Sequence, residues 1–124
     1  MDTTPEQFDY AAHKQRAVSE YLERQNFYVS LSEVVRRILE KALLHSDVAA
    51  HSIQARAKDP TSFGKKAAQP SEADPNRPMY SKPIEQITDL AGVRVITFFP
   101  RDLVKLDAIV TSDFEIVERS DKSA

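Results

Sequence analysis

Apolar residues recur every three or four positions through the first half of the chain, which is the spacing of an α-helix. A first helix is predicted over 4–25, because Thr4 can cap it and Pro5 suits its first turn. The residues at 30–33 have the pattern of a second capping box and are followed by the longest apolar series. That series predicts a second helix over 31–58 with a kink near 45–48.

The second half of the chain has shorter and more varied patterns. Four prolines lie among polar residues over 69–83, which predicts an exposed and mobile loop. Valine, isoleucine and phenylalanine dominate 91–99, which predicts a strand that ends at Pro100 and alternates between two faces. The other predicted elements are a short helix at 61–68, a helix around 103–110 and a second strand at 114–117.

The order of these elements indicates an α+β fold. An N-terminal helical segment, 1–49, precedes a region, 50–124, in which an incomplete mixed sheet is flanked by helices. Two strands alone make a poor sheet, so further strands are expected to complete it. The open edge of such a sheet, or the long helices, could pair with a second copy or another partner chain.

Composition narrows the classes of function. The formal net charge is −2, so nothing in the bulk charge favours DNA or an anionic membrane. The chain has no cysteine, and its two glycines are too few for a glycine-rich phosphate loop. No apolar run approaches the roughly 20 residues of a membrane span. The acidic start is unlike a signal peptide, so a cytoplasmic location is predicted.

Cations are concentrated just before the proline-rich loop. Arg56 and Lys58 are followed by Ser62 and by the adjacent Lys65 and Lys66. Such a group can hold phosphates, since arginine offers a planar fork and lysine a point charge. The alternative is a solvated basic surface at a helix C-terminus, where cations are favoured in any case. Both interpretations are open at this stage.

Asp89 and Arg94 form the second polar constellation. Asp89 lies at the mouth of the predicted strand, where a carboxylate can bind a metal ion that bridges nucleotide phosphates. Arg94 lies inside the apolar strand and needs an anionic partner. That partner could be a phosphate, or Asp89 itself in a purely structural ion pair.

Two sequence blocks resemble the synthetase domain of RelA/SpoT-type proteins. The run from Arg56 to Lys66 matches the pattern R-x-K-x-x-x-S-x-x-x-K. The run from Asp89 to Arg94 matches D-[IL]-x-G-[IV]-R. Asp102 and Leu103 resemble the start of the family's next helix, and 114–117 resembles its following strand.

The resemblance implies a nucleotidyltransferase-like fold and a concrete activity. The family transfers pyrophosphate from ATP to the 3′-hydroxyl of GDP or GTP, which produces the alarmone (p)ppGpp of the stringent response. By position in the motifs, Arg56 would stack on adenine and Arg94 would support the phosphate site. Asp89 would bind Mg²⁺. The residues implied to contact the ATP phosphates are Lys58, Ser62 and Lys66.

The chain departs from the family pattern in its acceptor half. Neither the G-Y-x-S-x-H loop nor the E-x-Q strand, whose glutamate is the second metal ligand, occurs in the 124 residues. The chain is therefore expected to correspond to the N-terminal part of the domain and to be inactive alone, with no catalytic residue assigned. The alternative is a non-catalytic module that binds nucleotide or a partner protein. An RNA-binding role is disfavoured by the net acidity.

Overall fold

The computed structural model describes residues 7–120, and one helix dominates the N-terminal part. Helix α1 spans Tyr10–Leu44 without interruption. The prediction of two helices was therefore wrong, and the predicted start at Thr4 lies outside the described residues. Ser32, expected in a capping box, is buried inside the helix and donates to the Val29 carbonyl oxygen at 2.8 Å. No proline or glycine interrupts α1, so its backbone hydrogen bonds continue through Ser30 and Ser32.

The end of α1 is also different from the prediction. The helix stops at Leu44, at the edge of the expected kink, and strand β1 follows over Ala50–Ala57. The sequence pattern had predicted helix as far as Lys58. The residues of β1 gain a partner strand from later in the chain, and this tertiary pairing overrides a helical periodicity that is only local.

The later elements agree better with the sequence patterns. Asp59 caps helix α2, since its carboxylate accepts from the Ser62 amide at 3.1 Å. The predicted strand at 114–117 is absent, and the chain is irregular after Phe114. The elements are helix α2 at Pro60–Ala67, helix α3 at Pro83–Gln86, strand β2 at Ala91–Thr97 and helix α4 at Pro100–Asp113.

Strands β1 and β2 form a two-stranded antiparallel sheet, not the mixed sheet that was expected. Beyond the end of β1, the Lys58 amide donates to the Leu90 carbonyl oxygen at 2.9 Å. Along β2 the side chains alternate as predicted, with Val93 and Val95 partly buried and Arg94 exposed. The α+β class is confirmed. Among the described residues, no helix is both long and apolar enough to cross a membrane.

The chain divides into two compact units. Within the described residues, the first contains 7–33 and 55–92, and the second contains 34–54 and 93–120. In the second unit, valine and leucine side chains of α1, β2 and α4 line an apolar groove. Asp102 is buried in the first turn of α4, where unpaired helix amides favour a carboxylate.

Aromatic rings form the core of the first unit. Tyr21 of α1 and Phe63 of α2 are fully buried, and their rings stack with centroids 4.7 Å apart. Tyr28 stacks on Tyr21 at a centroid distance of 5.8 Å. This packing holds α2 against the N-terminal half of α1. The buried residues of the cluster are Ala17, Tyr21, Phe63, Ala67, Ile87 and Leu90.

The proline-rich segment at 69–83 is largely irregular, as predicted, and it is attached to α1 by hydrogen bonds. The Tyr10 hydroxyl donates to the Pro75 carbonyl oxygen at 2.5 Å. The buried His13 ring places Nε2 2.8 Å from the Tyr80 carbonyl oxygen. These contacts satisfy backbone carbonyl groups that helix and sheet do not use.

Replacing Phe63 with alanine tests the aromatic core. We expect Phe63→Ala to lower the free energy of unfolding by about 3–5 kcal/mol, because it opens a cavity in a fully buried stack. Phe27→Ala is the matched control, since Phe27 is 63% exposed, and it should cost less than about 1 kcal/mol. Urea unfolding followed by circular dichroism measures both. Equal losses would contradict the assignment of the core.

Candidate functional site

Three of the residues singled out in the sequence meet in the first unit. The Lys58 Nζ lies 2.8 Å from Asp89 Oδ2, and the Lys66 Nζ lies 3.5 Å from Asp89 Oδ1. One carboxylate therefore bridges two ammonium groups. We call these three residues the lysine–aspartate cluster.

The cluster is assembled by the ends of three elements. Lys58 follows directly after β1, and Lys66 lies in the last turn of α2. The Asp59 cap and Pro60 start α2 immediately after the strand. The two lysines are therefore only eight positions apart, one at each end of this turn from strand to helix. The backbone bond between Lys58 and Leu90 then brings the neighbouring Asp89 beside them.

Burial of the three side chains is unequal. The Lys58 side chain is 15% exposed and that of Lys66 is 33% exposed, whereas Asp89 is 54% exposed. The cations are therefore partly shielded from water while the carboxylate faces solvent. Partial burial strengthens the attraction of an ammonium group for an anion. With two positive charges and one negative charge, the cluster retains a net positive charge that can attract an anionic ligand.

Asp89 is held in its charged form by its neighbours. Partial burial by itself raises the pKa of Asp89, but the hydrogen bond and charge of Lys58 and the charge of Lys66 outweigh that effect. The pKa of Asp89 therefore lies below its ordinary value. The sequence had suggested Arg94 as a structural partner of Asp89, and the two lysines take that role.

The other residues predicted to contact ATP have side chains that are exposed to solvent. Arg56 was expected at a helix end, and this was wrong, because it is exposed on β1. Ser62 is exposed in the first turn of α2, and its amide is used by the Asp59 cap. Among the described residues, neither the Arg56 nor the Ser62 side chain forms a hydrogen bond. Arg94 is exposed on β2 in the second unit.

Tyr21 contributes to the site and was missed in the sequence. Its hydroxyl donates to the backbone carbonyl oxygen of Lys58. Burial raises the pKa of the Tyr21 phenol, and Tyr28, Asp59 and Asp89 raise it further. In the sequence, Tyr21 was only one of several apolar positions on a predicted helix face. No local signal separates such a tyrosine from an ordinary core residue.

The fit of a magnesium ion to these residues is limited. A carboxylate is a ligand of the type that Mg²⁺ prefers, and Asp89 lies beside two lysines that can hold phosphates. No group of three or more aspartate, glutamate or histidine side chains suited to a metal ion occurs among residues 7–120. Asp89 is the carboxylate of the lysine–aspartate cluster, so it would be the protein ligand. Phosphate and water oxygens would complete the shell of a bound Mg²⁺.

Comparison with known proteins identifies no relative. No protein-family model, characterised protein or solved structure matches this chain. The fold and site define an α+β protein with a lysine–aspartate cluster where its first strand, second helix and second strand meet.

The pH dependence of stability tests the charge state of Asp89. Because the folded-state pKa is lowered, the ionised Asp89 stabilises the fold above its ordinary pKa of about 4, and this stabilisation is lost as the pH falls through the folded value. We expect Asp89→Asn to flatten the acid-side loss of unfolding free energy. Urea unfolding between about pH 2 and 6 measures this.

A matched control for this measurement is Glu115→Gln. Glu115 is exposed and forms no ion pair within the described range. As the pH falls, the free energy of unfolding of this variant should decrease in the same way as that of the wild-type chain. The same decrease in Asp89→Asn as in the wild type would show that the lysines do not stabilise the charged carboxylate.

Proposed function

We propose that this chain supplies the ATP-binding part of a RelA/SpoT-type synthetase domain, which transfers pyrophosphate from ATP to the 3′-hydroxyl of GDP or GTP. The lysine–aspartate cluster carries the proposal. Lys58 and Asp89 are 31 positions apart and Lys66 and Asp89 are 23 apart, yet each pair is within hydrogen-bond distance. These residues come from the two separate blocks that resemble the synthetase family.

The chemistry of the cluster suits a polyphosphate. An ammonium group is a compact charge that phosphate oxygens can approach from several directions. A triphosphate carries more negative charge than the single Asp89 carboxylate and can replace it as the partner of Lys58 and Lys66. Phosphoryl transfer depends mainly on position and on electrostatic stabilisation of the transferring group, and fixed cations provide both.

Exposed residues near the cluster in the sequence complete the proposed ATP site. Arg56 is free to stack on the adenine ring. The Ser62 hydroxyl is available to a phosphate oxygen. These roles follow from the family resemblance, and the exposure of both side chains is compatible with them.

Mg²⁺ belongs to the proposal as an ion that binds together with ATP. When bound, it would neutralise phosphate charge, and Asp89 is the residue that would hold it. Lys58 and Lys66 remain the groups that orient the phosphates. A nucleotidyltransferase-like fold is part of the same proposal, and the two strands with their flanking helices are compatible with it.

The proposed contact of Lys66 with phosphate can be tested by comparing substitutions at Lys66 and at the adjacent Lys65. We expect Lys66→Ala to weaken ATP binding about tenfold or more, because a charge-assisted contact to a phosphate is lost. Lys65→Ala removes an equal charge from the same helical turn, but Lys65 is exposed and forms no ion pair among the described residues. Its effect should stay below about twofold. Isothermal titration calorimetry of the chain with ATP measures both.

Two results of that titration would reject the proposal. The first is a wild-type chain with no affinity for ATP. The second is an equal loss in Lys65→Ala and Lys66→Ala, which would indicate attraction by a basic surface without a defined site.

The proposed magnesium contact predicts an effect of Asp89→Asn that depends on the metal. The wild-type chain should bind ATP more tightly with Mg²⁺ than with a chelator, and this gain should be lost in Asp89→Asn. With the chelator, the variant should bind ATP at least as tightly as the wild type, because the lysines no longer pair with a carboxylate. Calorimetric titrations under both conditions provide the measurement.

Asp59→Asn is the control for this experiment. It removes a neighbouring negative charge, while asparagine keeps the capping acceptor of α2. The gain from Mg²⁺ should persist in this variant. A gain that persists in Asp89→Asn as well would exclude Asp89 as the metal ligand.

A second candidate function is a non-catalytic nucleotide-binding module that acts through a partner chain. It is favoured by the apolar groove of the second unit. It is also favoured by the absence, among the described residues, of a group of three or more side chains suited to hold a metal ion. Both candidates bind ATP through the same cluster. Transfer of labelled pyrophosphate from ATP to GDP by the protein distinguishes the synthetase from the module.

A further inference from the structure

We propose that Tyr21 is a positioning residue whose hydroxyl sets the place of Lys58 within the lysine–aspartate cluster. Its connection to ATP binding rests on the function proposed above. Its connection to the Lys58–Asp89 ion pair rests on the geometry alone.

The Tyr21 ring is fixed by its surroundings. The side chain is fully buried, its ring stacks on Phe63 at 4.7 Å with an interplanar angle of 23°, and Tyr28 stacks on it at 5.8 Å with an angle of 12°. A ring confined in this way has little rotational freedom left. Its hydroxyl is therefore a fixed point that projects from the core towards the Lys58 carbonyl oxygen.

Both backbone polar groups of Lys58 are engaged at this point. The carbonyl oxygen accepts from Tyr21, and the amide donates to the Leu90 carbonyl oxygen at 2.9 Å. Lys58 lies just outside β1, so strand pairing alone does not hold its carbonyl group. With its backbone held on both sides, the side chain starts from a defined position and reaches Asp89 at 2.8 Å.

Burial of an aromatic ring does not by itself explain why the residue at position 21 carries a hydroxyl group. A phenylalanine could fill the same stack, whereas a buried phenol must find a hydrogen-bond partner. The partner in this protein is the backbone of a site residue.

The test compares Tyr21→Phe with Tyr28→Phe. Each variant loses one hydroxyl from the same stack, but the Tyr28 hydroxyl forms no hydrogen bond among the described residues. Carboxyl ¹³C NMR follows the titration of Asp89 without any nucleotide. In Tyr21→Phe the Asp89 midpoint should move up towards its ordinary value, because Lys58 is no longer held beside it. In Tyr28→Phe the midpoint should stay at the wild-type value.

ATP affinity provides the second readout. We expect Tyr21→Phe to weaken ATP binding about fivefold and Tyr28→Phe to leave it unchanged. Phe63→Leu loosens the stack that confines the Tyr21 ring but keeps the Tyr21 hydroxyl. It should therefore lower the free energy of unfolding and move the Asp89 midpoint less than Tyr21→Phe does. If Tyr21→Phe does not fold, the titrations of all variants and of the wild type are repeated in trimethylamine N-oxide, an osmolyte that favours the folded state.

The two readouts separate failure of this inference from failure of the proposed function. An Asp89 titration that is unchanged in folded Tyr21→Phe would overturn the positioning role, whatever the affinity for ATP. A shifted titration in a chain that does not bind ATP would support the positioning role and reject the nucleotide function.

Discussion

The first unit depends on the stack of Tyr21 on Phe63 and on the hydrogen bond from the Tyr21 hydroxyl to Lys58. The stack joins α1 to α2, and the hydroxyl connects the same core to the chain where β1 ends. An aromatic pair stabilises through area and ring geometry, while a buried phenol adds a directional requirement. One side chain thus links the packing of the helices to the position of a charged residue in the candidate site.

The lysine–aspartate cluster shows how a chain with two glycines and no net positive charge can still form an anion site. Side chains from three element ends provide the charges, so no glycine-rich loop is required. Asp89 compensates the two lysines in the free protein, which reduces the cost of bringing partly buried cations together. When a phosphate binds, at least one ion pair between Asp89 and a lysine must break, so the charge of Asp89 affects both stability and binding.

The proximity of three of the six predicted site residues was easier to anticipate than the elements that position them. Lys58, Lys66 and Asp89 were selected from charge pattern and family resemblance, and the structure brings them together. Strand β1 was predicted as helix, since no proline or glycine interrupts the chain between the preceding helix and Pro60. The strand predicted at 114–117 has the apolar composition of a strand but forms none. Strand formation requires a pairing partner, and a local pattern carries no information about one.

By itself, the sequence determined the α+β class, the position of α2, β2 and α4, and the residue types available for binding an anion. These features depend on local spacing, capping and proline, which act over a few residues. The tertiary structure alone decided that α1 continues through Ser32, that β1 pairs with β2, and that Tyr21 holds Lys58. Each of these depends on groups far apart in the chain, and their contact exists only once the core has formed.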